Sequence, residues 1–553
     1  MKGRPGYLLI IPPLVFLGIF YFYPLISIFG LSFAPEGSFD PGKLRQLIRT
    51  DYYARVLWFT TWQAALSTLL TLALALPGAW FFARYEFKGK ALLQSLTTVP
   101  FVLPTVVTAA AFRALLGNGG LVNRLLAALD IGSGPVIRLE QTVTFFLLAH
   151  IFYNYTVILR IVGGFWSRLP RNLGEAAQML GASRTQVFFR ITLPLLGPAI
   201  LAASLLVFIF CFTSFGVILI LGGPRLATVE VEIYRQAVHI FNLPLAAALS
   251  LTQIVFTFCL MSLYTWLEGR TAVSIMPEPI RGTRRQARTR VEKMVAVASI
   301  LFLVLLLGTP LAALFASSLI TENGLALTYY LALLENSIQS ILYVPPLTAL
   351  MNSLGFALGA TLIALALGGL AAAFLSRPKH KKRAWLDPFF MLPLSTSAVT
   401  LGFGFIIALD EPPLNLRTSI VLPALAHALV AFPFVIRSLL PAWRSIPQSL
   451  REAAAVLGAA PLMVWKHVDW PILSRALMVA AVFAFAISMG EFGATVFVAR
   501  PQTPTLPLAI YRFLGQPGAM NYGQAMAMSC ILVVTTAVGF IILEKIKPQA
   551  GGL

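Results

Sequence analysis

Long apolar segments fill most of the chain and restrict it to a membrane fold. An α-helix needs about 20 apolar residues to cross a hydrocarbon layer of about 30 Å, and the sequence contains twelve such segments. Charged residues make up only 11% of the 553 residues, compared with about 25% in soluble domains. We therefore predict an all-α polytopic membrane protein. The predicted spans are 7–31, 56–82, 92–115, 142–163, 197–221, 244–266, 294–318, 347–375, 385–408, 419–440, 474–498 and 524–543.

The net charge of +20 could indicate nucleic-acid binding. The basic residues instead lie in short loops between apolar segments, which is typical of the cytoplasmic loops of membrane proteins. Each basic cluster follows an even number of predicted spans, so we expect all of them, and both termini, in the cytoplasm. No nucleic-acid partner is expected. The clusters lie at 84–90, 281–290, 377–383 and 545–547.

The chain contains an internal duplication. Glu175 begins EAAQMLGASRTQVFFRITLP, and Glu452 begins the similar segment EAAAVLGAAPLMVWKHVDWP. The shift that superposes Glu175 on Glu452 also aligns polar, aromatic, glycine and proline residues that apolar composition alone does not explain. Six spans in each half return the chain to its starting side, which predicts two parallel six-helix repeats. The aligned pairs include His150/His427, Arg160/Arg437, Trp166/Trp443, Pro170/Pro447, Gly181/Gly458, Pro194/Pro471, Phe215/Phe492 and Tyr234/Tyr511.

The duplication divides the chain into three regions. Residues 1–267 form the first repeat, 268–293 a basic cytoplasmic linker, and 294–553 the second repeat.

Each copy of the repeated segment predicts two short helices joined by a glycine. Gly181 and Gly458 follow the first helix, where a left-handed residue commonly ends a helix. Ser183 and Gln186 predict a capping box for the second helix, and Pro461 occupies a first-turn position in the other copy. The small alanines leave a shallow face, so we predict binding to a protein rather than to the lipid surface. The apolar stripes are Leu173, Ala176, Ala177 and Leu180, and Leu450, Ala453, Ala454 and Leu457.

The pattern of EAA, three residues, G, nine residues, a branched apolar residue and xLP resembles the signature loop of ABC-importer permeases. The first copy ends in full agreement at Pro194, whereas the second has Val468 and Trp470 at the apolar positions and keeps Pro471. The later segments TSFGVILILGGPRLATVEVEIYRQ and SMGEFGATVFVARPQTPTLPLAIYRF are similar to those of the thiamine and ferric-iron permease group. The resemblance covers nearly the whole chain.

The resemblance implies two fused permease domains with the type I importer fold, and coupling loops at 168–194 and 445–471. Each loop would seat a helix in a cleft of a separate ATPase subunit, with Glu175 and Glu452 paired to basic residues there. The expected coupling residues are Glu175, Ala176, Ala177, Gly181, Glu452, Ala453, Ala454 and Gly458.

The chain lacks the G-x-x-x-x-G-K-[ST] pattern of a phosphate-binding loop. We therefore expect ATP and Mg²⁺ on the partner, and no cofactor, metal or catalytic residue in this chain. The expected partners are two copies of an ABC ATPase, an extracytoplasmic solute-binding protein, the solute and membrane lipid.

Ionisable groups within a membrane are costly and are candidates for function. Glu491 lies midway along the eleventh predicted span, at the position of Ser214 in the fifth, and the family resemblance implies that these spans line the gate. A structural glutamate bonded to a neighbouring helix is an equally good interpretation. The candidate gate residues are Thr213, Ser214, Phe215, Glu491 and Phe492.

Four other paired residues have structural interpretations. For His150 and His427, hydrogen bonds between helices are favoured over a metal or proton site. Tyr234 and Tyr511 are predicted to lie on re-entrant or interfacial segments outside, where an aromatic-belt role is sufficient.

The favoured function is ATP-driven import of a small solute across the cytoplasmic membrane of a prokaryote. The segment GGPRLATVEVEIYRQAV is most similar to thiamine permeases, and ferric iron or another small solute is the alternative. An ion-coupled secondary transporter would need several carboxylates within the membrane, but only Glu491 is predicted to lie deep in a span.

Overall fold

The structure is a computed structural model. It describes residues 8–35, 37–40, 42–87, 89–97, 100, 103–132, 134–170, 172–271, 289–322, 324–335, 341–376 and 386–546. Most of the basic cluster at 281–290, the cluster at 377–383 and Lys547 therefore lie outside the described residues.

The first repeat consists of helices. They are α1 (Ile11–Phe33), α2 (Gly42–Arg49), α3 (Asp51–Arg84), α4 (Lys90–Leu96), α5 (Thr105–Leu116), α6 (Leu121–Ala128), α7 (Val143–Trp166), α8 (Asn172–Met179), α9 (Arg184–Phe212), α10 (Gly216–Leu221), α11 (Val229–Tyr234) and α12 (Leu243–Thr271).

The second repeat has the same order of long helices and adds a two-residue strand pair. Its elements are α13 (Arg290–Leu319), β1 (Ile320–Thr321), β2 (Gly324–Leu325), α14 (Thr328–Leu331), α15 (Pro346–Leu375), α16 (Leu386–Ser395), α17 (Ala398–Ala408), α18 (Leu422–Ser445), α19 (Gln448–Val456), α20 (Pro461–Gly490), α21 (Thr495–Val498), α22 (Leu506–Leu514) and α23 (Ala519–Ile546). The antiparallel strands pair Ile320 with Leu325 and Thr321 with Gly324.

Eleven helical stretches among the described residues are long and apolar enough to cross a membrane, and the bent pair α16–α17 is a possible twelfth. This confirms the prediction of an all-α polytopic fold. Helices α12 and α13 run into both ends of the predicted linker, to Thr271 and from Arg290.

Four of the predicted spans are not continuous helices. The span predicted over 385–408 bends by 94° between α16 and α17, where the Ser397 hydroxyl accepts hydrogen bonds from the N–H groups of Val399 and Thr400. The span predicted over 92–115 is interrupted before α5, where Pro104 precedes the first helical residue with extended backbone. Hydropathy cannot detect such breaks, because the residues around them are still apolar.

The other two interruptions follow the long helices α9 and α20, in the spans predicted over 197–221 and 474–498. Helix α9 ends at Phe212 and α10 begins at Gly216, while α20 ends at Gly490 and α21 begins at Thr495. These two breaks hold all five candidate gate residues.

The first helix of each repeat packs against the other repeat. In α1, the Tyr21 hydroxyl lies 2.8 Å from the Thr396 hydroxyl, and the Phe22 ring stacks on Phe389 at 4.8 Å between centroids. Reciprocally, α13 packs along α5, and its Phe302 ring lies 6.0 Å from that of Tyr155 in α7. Each first helix also packs on the last helix of its own repeat, α1 on α12 and α13 on α23, so the two repeats are interlocked through their first helices.

Helices α7 and α18 form the centres of the two repeats. In the most apolar 18-residue stretch of each helix, about three-quarters of the residues are buried, 78% in α7 and 72% in α18. Each packs along the second span of its own repeat, α3 or α15. Close packing depends on a glycine, since a Cβ added at Gly78 of α3 would lie 2.1 Å from the Tyr155 hydroxyl of α7.

Candidate functional site

Helices α8 and α19, here termed the loop helices, end in the same way. Gly181 has a φ of +88° and Gly458 a φ of +83°, so both glycines adopt the predicted left-handed conformation. The Gly181 N–H donates to Gln178 O, and the Ala182 N–H donates to Ala177 O, each at 3.0 Å. This pair of bonds is the Schellman motif. The second repeat has the same bonds at 3.0 Å, from Gly458 to Ala455 O and from Ala459 to Ala454 O.

The helix after each glycine begins differently in the two repeats. The Gln186 N–H donates to the Ser183 hydroxyl at 3.2 Å, and the Ser183 N–H donates to the Gln186 side chain at 2.8 Å. This is the predicted capping box. Pro461 is the first residue of the equivalent helix, also as predicted. Different local sequences therefore form the same helix–turn–helix shape.

The apolar stripes of the loop helices are not buried by this chain. Leu180 is 90% exposed and Leu457 is 88% exposed, and the neighbouring Met179 and Val456 are similarly exposed. Such patches commonly mark interaction surfaces. Of the predicted coupling residues, Ala177 and Ala454 are half-buried, and the exposed ones are Glu175, Ala176, Gly181, Glu452, Ala453 and Gly458.

His150 of α7 is completely buried and connects α3 to the break between α9 and α10. Its Nδ1 lies 2.8 Å from the Ser67 hydroxyl of α3, and its Nε2 lies 3.0 Å from the Ser214 hydroxyl. In the second repeat, His427 Nδ1 lies 2.7 Å from the Ser488 hydroxyl, and Nε2 lies 2.8 Å from the Thr495 hydroxyl. The prediction of hydrogen bonds between helices is confirmed for both histidines.

The candidate gate residues lie where the helix has ended, not midway along a span as the sequence indicates. Thr213, Ser214 and Phe215 lie between α9 and α10, while Glu491 and Phe492 lie between α20 and α21. Serine and threonine side chains compete for backbone hydrogen bonds and so favour a break at Thr213 and Ser214.

The Glu491 carboxylate accepts hydrogen bonds from residues three and four positions later in the sequence. It accepts the N–H groups of Ala494 at 2.8 Å and Thr495 at 2.9 Å, and the Thr495 hydroxyl at 2.5 Å. His427 Nε2 lies 3.3 Å away, and the Glu491 side chain is only 4% exposed. These hydrogen bonds fix the start of α21 at the break. They are the contacts expected if Glu491 has a structural role.

Equivalent phenylalanines of the two repeats stack on one another at the breaks. The rings of Phe215 and Phe492 lie 5.4 Å apart between centroids, with 22° between their planes. A Cβ added at Gly216 would lie 3.2 Å from the Phe492 ring and 2.5 Å from the Thr105 hydroxyl, so glycine permits this close approach. We term the Phe215–Phe492 pair the central aromatic contact.

Two tyrosines extend the central aromatic contact. Tyr234 lies 5.6 Å from Phe215, and Tyr511 lies 5.4 Å from Phe492, between ring centroids. Tyr234 is only 6% exposed, so it packs within the protein and does not face lipid as an aromatic-belt residue would. The alignment of the two repeats could have indicated that the tyrosines lie near the phenylalanines, because it places both tyrosines at equivalent positions relative to Phe215 and Phe492.

The sequence analysis missed two buried carboxylates in α11. Glu230 accepts the Gln253 amide at 2.6 Å. Glu232 accepts the Tyr52 hydroxyl at 2.8 Å and lies 3.1 Å from Arg235. The alternating segment VEVEIY reads as an amphipathic surface strand, and only the packing of α11 against α12 and α17 buries these side chains.

Two interlocked six-helix repeats, with matched exposed loops and an aromatic contact between them, define a multi-pass membrane permease. The family "Binding-protein-dependent transport system inner membrane component" matches residues 75–273 and again residues 364–550. The chain belongs to this family. The two matches confirm an importer permease with two fused permease domains.

Relatives with established names match over nearly the whole chain. The thiamine transport system permease protein ThiP of Brucella abortus is 27% identical over 496 residues, 89% of this chain and 88% of that protein. ThiP of Escherichia coli is 26% identical over 509 residues, 90% of this chain and 89% of that protein.

Two further similarities cover about half of the chain. The putative 2-aminoethylphosphonate transport system permease protein PhnV of Salmonella typhimurium is 30% identical over 261 residues, 46% of this chain and 94% of that protein. A solved bacterial ABC transporter involved in alginate import is 20% identical, covers 49% of this chain and 95% of that chain, and has a TM-score of 0.41.

Proposed function

We propose that this permease carries thiamine inward across the cytoplasmic membrane. The supporting observation is that thiamine transport permeases match 89–90% of the chain, and therefore both repeats together. The similarity to PhnV extends over 46% of the chain, so it supports the permease class more than a phosphonate substrate. Ferric iron or another small solute is the alternative substrate.

The exposed loop helices support two ATPase subunits as partners on the cytoplasmic face. Their ends have the same hydrogen bonds and the same left-handed glycine, so two identical clefts could receive them. ATP and Mg²⁺ would be bound and hydrolysed by these subunits, and a solute-binding protein would deliver thiamine outside. If the loop helices meet ATPase subunits in this way, both termini of the permease would also be cytoplasmic.

Helix α9 offers a direct mechanical connection between the two candidate sites. It has 29 residues, which corresponds to about 43 Å at 1.5 Å per residue. One end follows Gly181 and the other precedes Phe215, and α20 connects Gly458 to Phe492 in the same way. Closure of the ATPase pair would move both loop helices and so separate the stacked phenylalanines.

An ion-coupled transporter is less consistent with these contacts. Such a mechanism needs carboxylates that exchange ions, whereas Glu491, Glu230 and Glu232 are each held by donors of this chain. Substrate and energy source can both be tested in proteoliposomes that contain the permease, the ATPase and the binding protein. We expect uptake of labelled thiamine only with internal ATP, and no uptake of ferric iron. Uptake driven by a proton or sodium gradient without ATP would contradict the proposal.

The central aromatic contact is expected to act as a seal. Phe215→Ala combined with Phe492→Ala removes both stacked rings and leaves a gap between the repeats, so passive leakage of thiamine from loaded proteoliposomes without ATP should rise by at least about tenfold. Phe256→Ala is the matched control, because Phe256 is also stacked, 4.5 Å from Phe212, but is 37% exposed. Equal leakage from both variants would contradict a sealing role.

A further inference from the structure

A cavity of about 530 Å³ lies beside the first loop helix, and the proposed transport cycle does not use it. We term it the first-repeat cavity. Residues from five helices line it, and both repeats contribute. Those used below are Trp166 of α7, Gly174 and Glu175 of α8, Thr192 of α9 and Glu292 of α13.

The second repeat fills the equivalent place with its own cation. Arg451 precedes Glu452 just as Gly174 precedes Glu175, so the two residues are equivalent. The Arg451 Nε lies 2.7 Å from an Asp469 carboxylate oxygen, and its guanidinium carbon lies 5.9 Å from the centre of the Trp443 ring. A planar cation therefore stacks on the tryptophan and pairs with an acid.

The first repeat keeps the tryptophan but has lost the cation. Trp166 is equivalent to Trp443, while Gly174 and Thr192 replace the arginine and the aspartate. Trp166 is only 8% exposed, and its indole N–H has no hydrogen-bond partner within the described residues. A buried donor without a partner is unfavourable, and a ligand in the cavity could satisfy it.

We propose that the first-repeat cavity binds a small planar cation, such as an amidinium or a cationic heterocycle, stacked on Trp166. Cation–π attraction favours such a ligand, and Glu175 supplies a negative charge on the cavity wall. Arg84, Arg184 and Glu292 also line the cavity, so with Glu175 its wall carries two basic and two acidic side chains. The volume lies within the range of about 300–1,000 Å³ that is usual for small-molecule sites.

Occupancy would restrain the first loop helix. The Arg451–Asp469 pair already ties α19 to α20, whereas α8 meets α9 through Gly174 and Val187 without such a bond. A bound cation would connect α8 to α3, α7 and α9, and would slow turnover if α8 couples to an ATPase. This consequence for turnover rests on the proposed function, but the binding site does not.

The binding test uses the purified full chain in lipid nanodiscs, without ATPase or transport. Benzamidine is the probe and neutral benzamide is its matched control, with binding measured by calorimetry and by quenching of tryptophan fluorescence. We expect saturable binding of benzamidine, and binding of benzamide that is weaker by about tenfold or more because the charge is absent. Equal binding of the two compounds would overturn the proposal.

A double substitution should close the cavity. Gly174→Arg with Thr192→Asp introduces the second repeat's pair. A Cβ added at Gly174 lies 3.2 Å from Val187 Cγ1, so a small shift of the Val187 side chain is needed to admit the arginine. Benzamidine binding should be lost, with an unchanged melting temperature as the check on folding. Asn172→Asp with Thr185→Arg adds the same charges outside the cavity lining and should retain binding.

Two outcomes would overturn the site. One is unchanged benzamidine binding in the cavity-filled variant. The other is loss of binding when the wild-type chain is assembled with its ATPase, because a partner side chain would then fill the cavity. Failure of thiamine uptake would affect only the proposed function, since the binding assay requires no transport.

Discussion

Replacing Gly181 and Gly458 together with proline is expected to abolish ATP-driven uptake without reducing the amount of inserted protein. The two glycines have φ values of +88° and +83°, whereas the proline ring restricts φ to negative values. Proline also removes the N–H groups that bond to Gln178 and Ala455. The turns that end the loop helices would therefore be lost. The membrane spans do not depend on these turns and would still insert. Uptake normalised to inserted protein, together with retention of the ATPase on purification, measures the effect.

The matched control replaces the same two glycines with asparagine. No atom lies within 4 Å of a Cβ added at either position, so the constraint is conformational and not steric. Asparagine adopts the left-handed conformation more readily than other residues with a side chain, and the double asparagine variant should retain most of the uptake. Equal uptake by the proline and asparagine variants would show that the bend has no role in coupling.

Removing the Glu491 carboxylate should have the largest effect on stability. Glu491→Ala leaves the buried N–H groups of Ala494 and Thr495 without an acceptor and removes the carboxylate that lies 3.3 Å from His427, while His427 keeps its contacts with Ser488 and Thr495. Each unsatisfied buried group costs about 1–3 kcal/mol, so the total loss should be on the order of 4 kcal/mol. A large fall in melting temperature in detergent, measured by fluorescence-detected gel filtration, is expected together with loss of uptake.

Two further variants separate the structural interpretation from a direct role in the path. Glu491→Gln keeps one acceptor oxygen and should lower stability and uptake together, by less than alanine does. Ser214→Ala at the equivalent position of the first repeat removes one hydrogen bond to His150 and should cost about 1 kcal/mol. A glutamine variant with normal stability but no uptake would show instead that the charge of Glu491 acts on the solute.

The sequence predicted the features that depend on local patterns. Hydropathy located the spans, and the internal repeat established two parallel halves. The conformations of Gly181 and Gly458 and the Ser183–Gln186 capping box were also predictable, because a helix end is determined by a few neighbouring residues.

Features that depend on packing between distant segments were not predictable. The break at Glu491 forms because its carboxylate binds the backbone of Ala494 and Thr495, within a segment that is apolar enough to read as a continuous span. Glu230 and Glu232 are buried by helices elsewhere in the chain. Predicting the first-repeat cavity from the sequence would require knowing that Gly174 and Thr192 line the same space as Trp166. The alignment of the repeats does not show this by itself.

The packing of α1 and α13 against the opposite repeat has a consequence for biosynthesis. Helix α1 completes its packing only against residues such as Phe389 and Thr396, which the ribosome adds long after Tyr21, when the second repeat is already under way. Until those residues are made, α1 can pack only within its own repeat, along α12. Joining the two repeats in one polypeptide keeps the partner surface of α1 close to it at a high effective concentration.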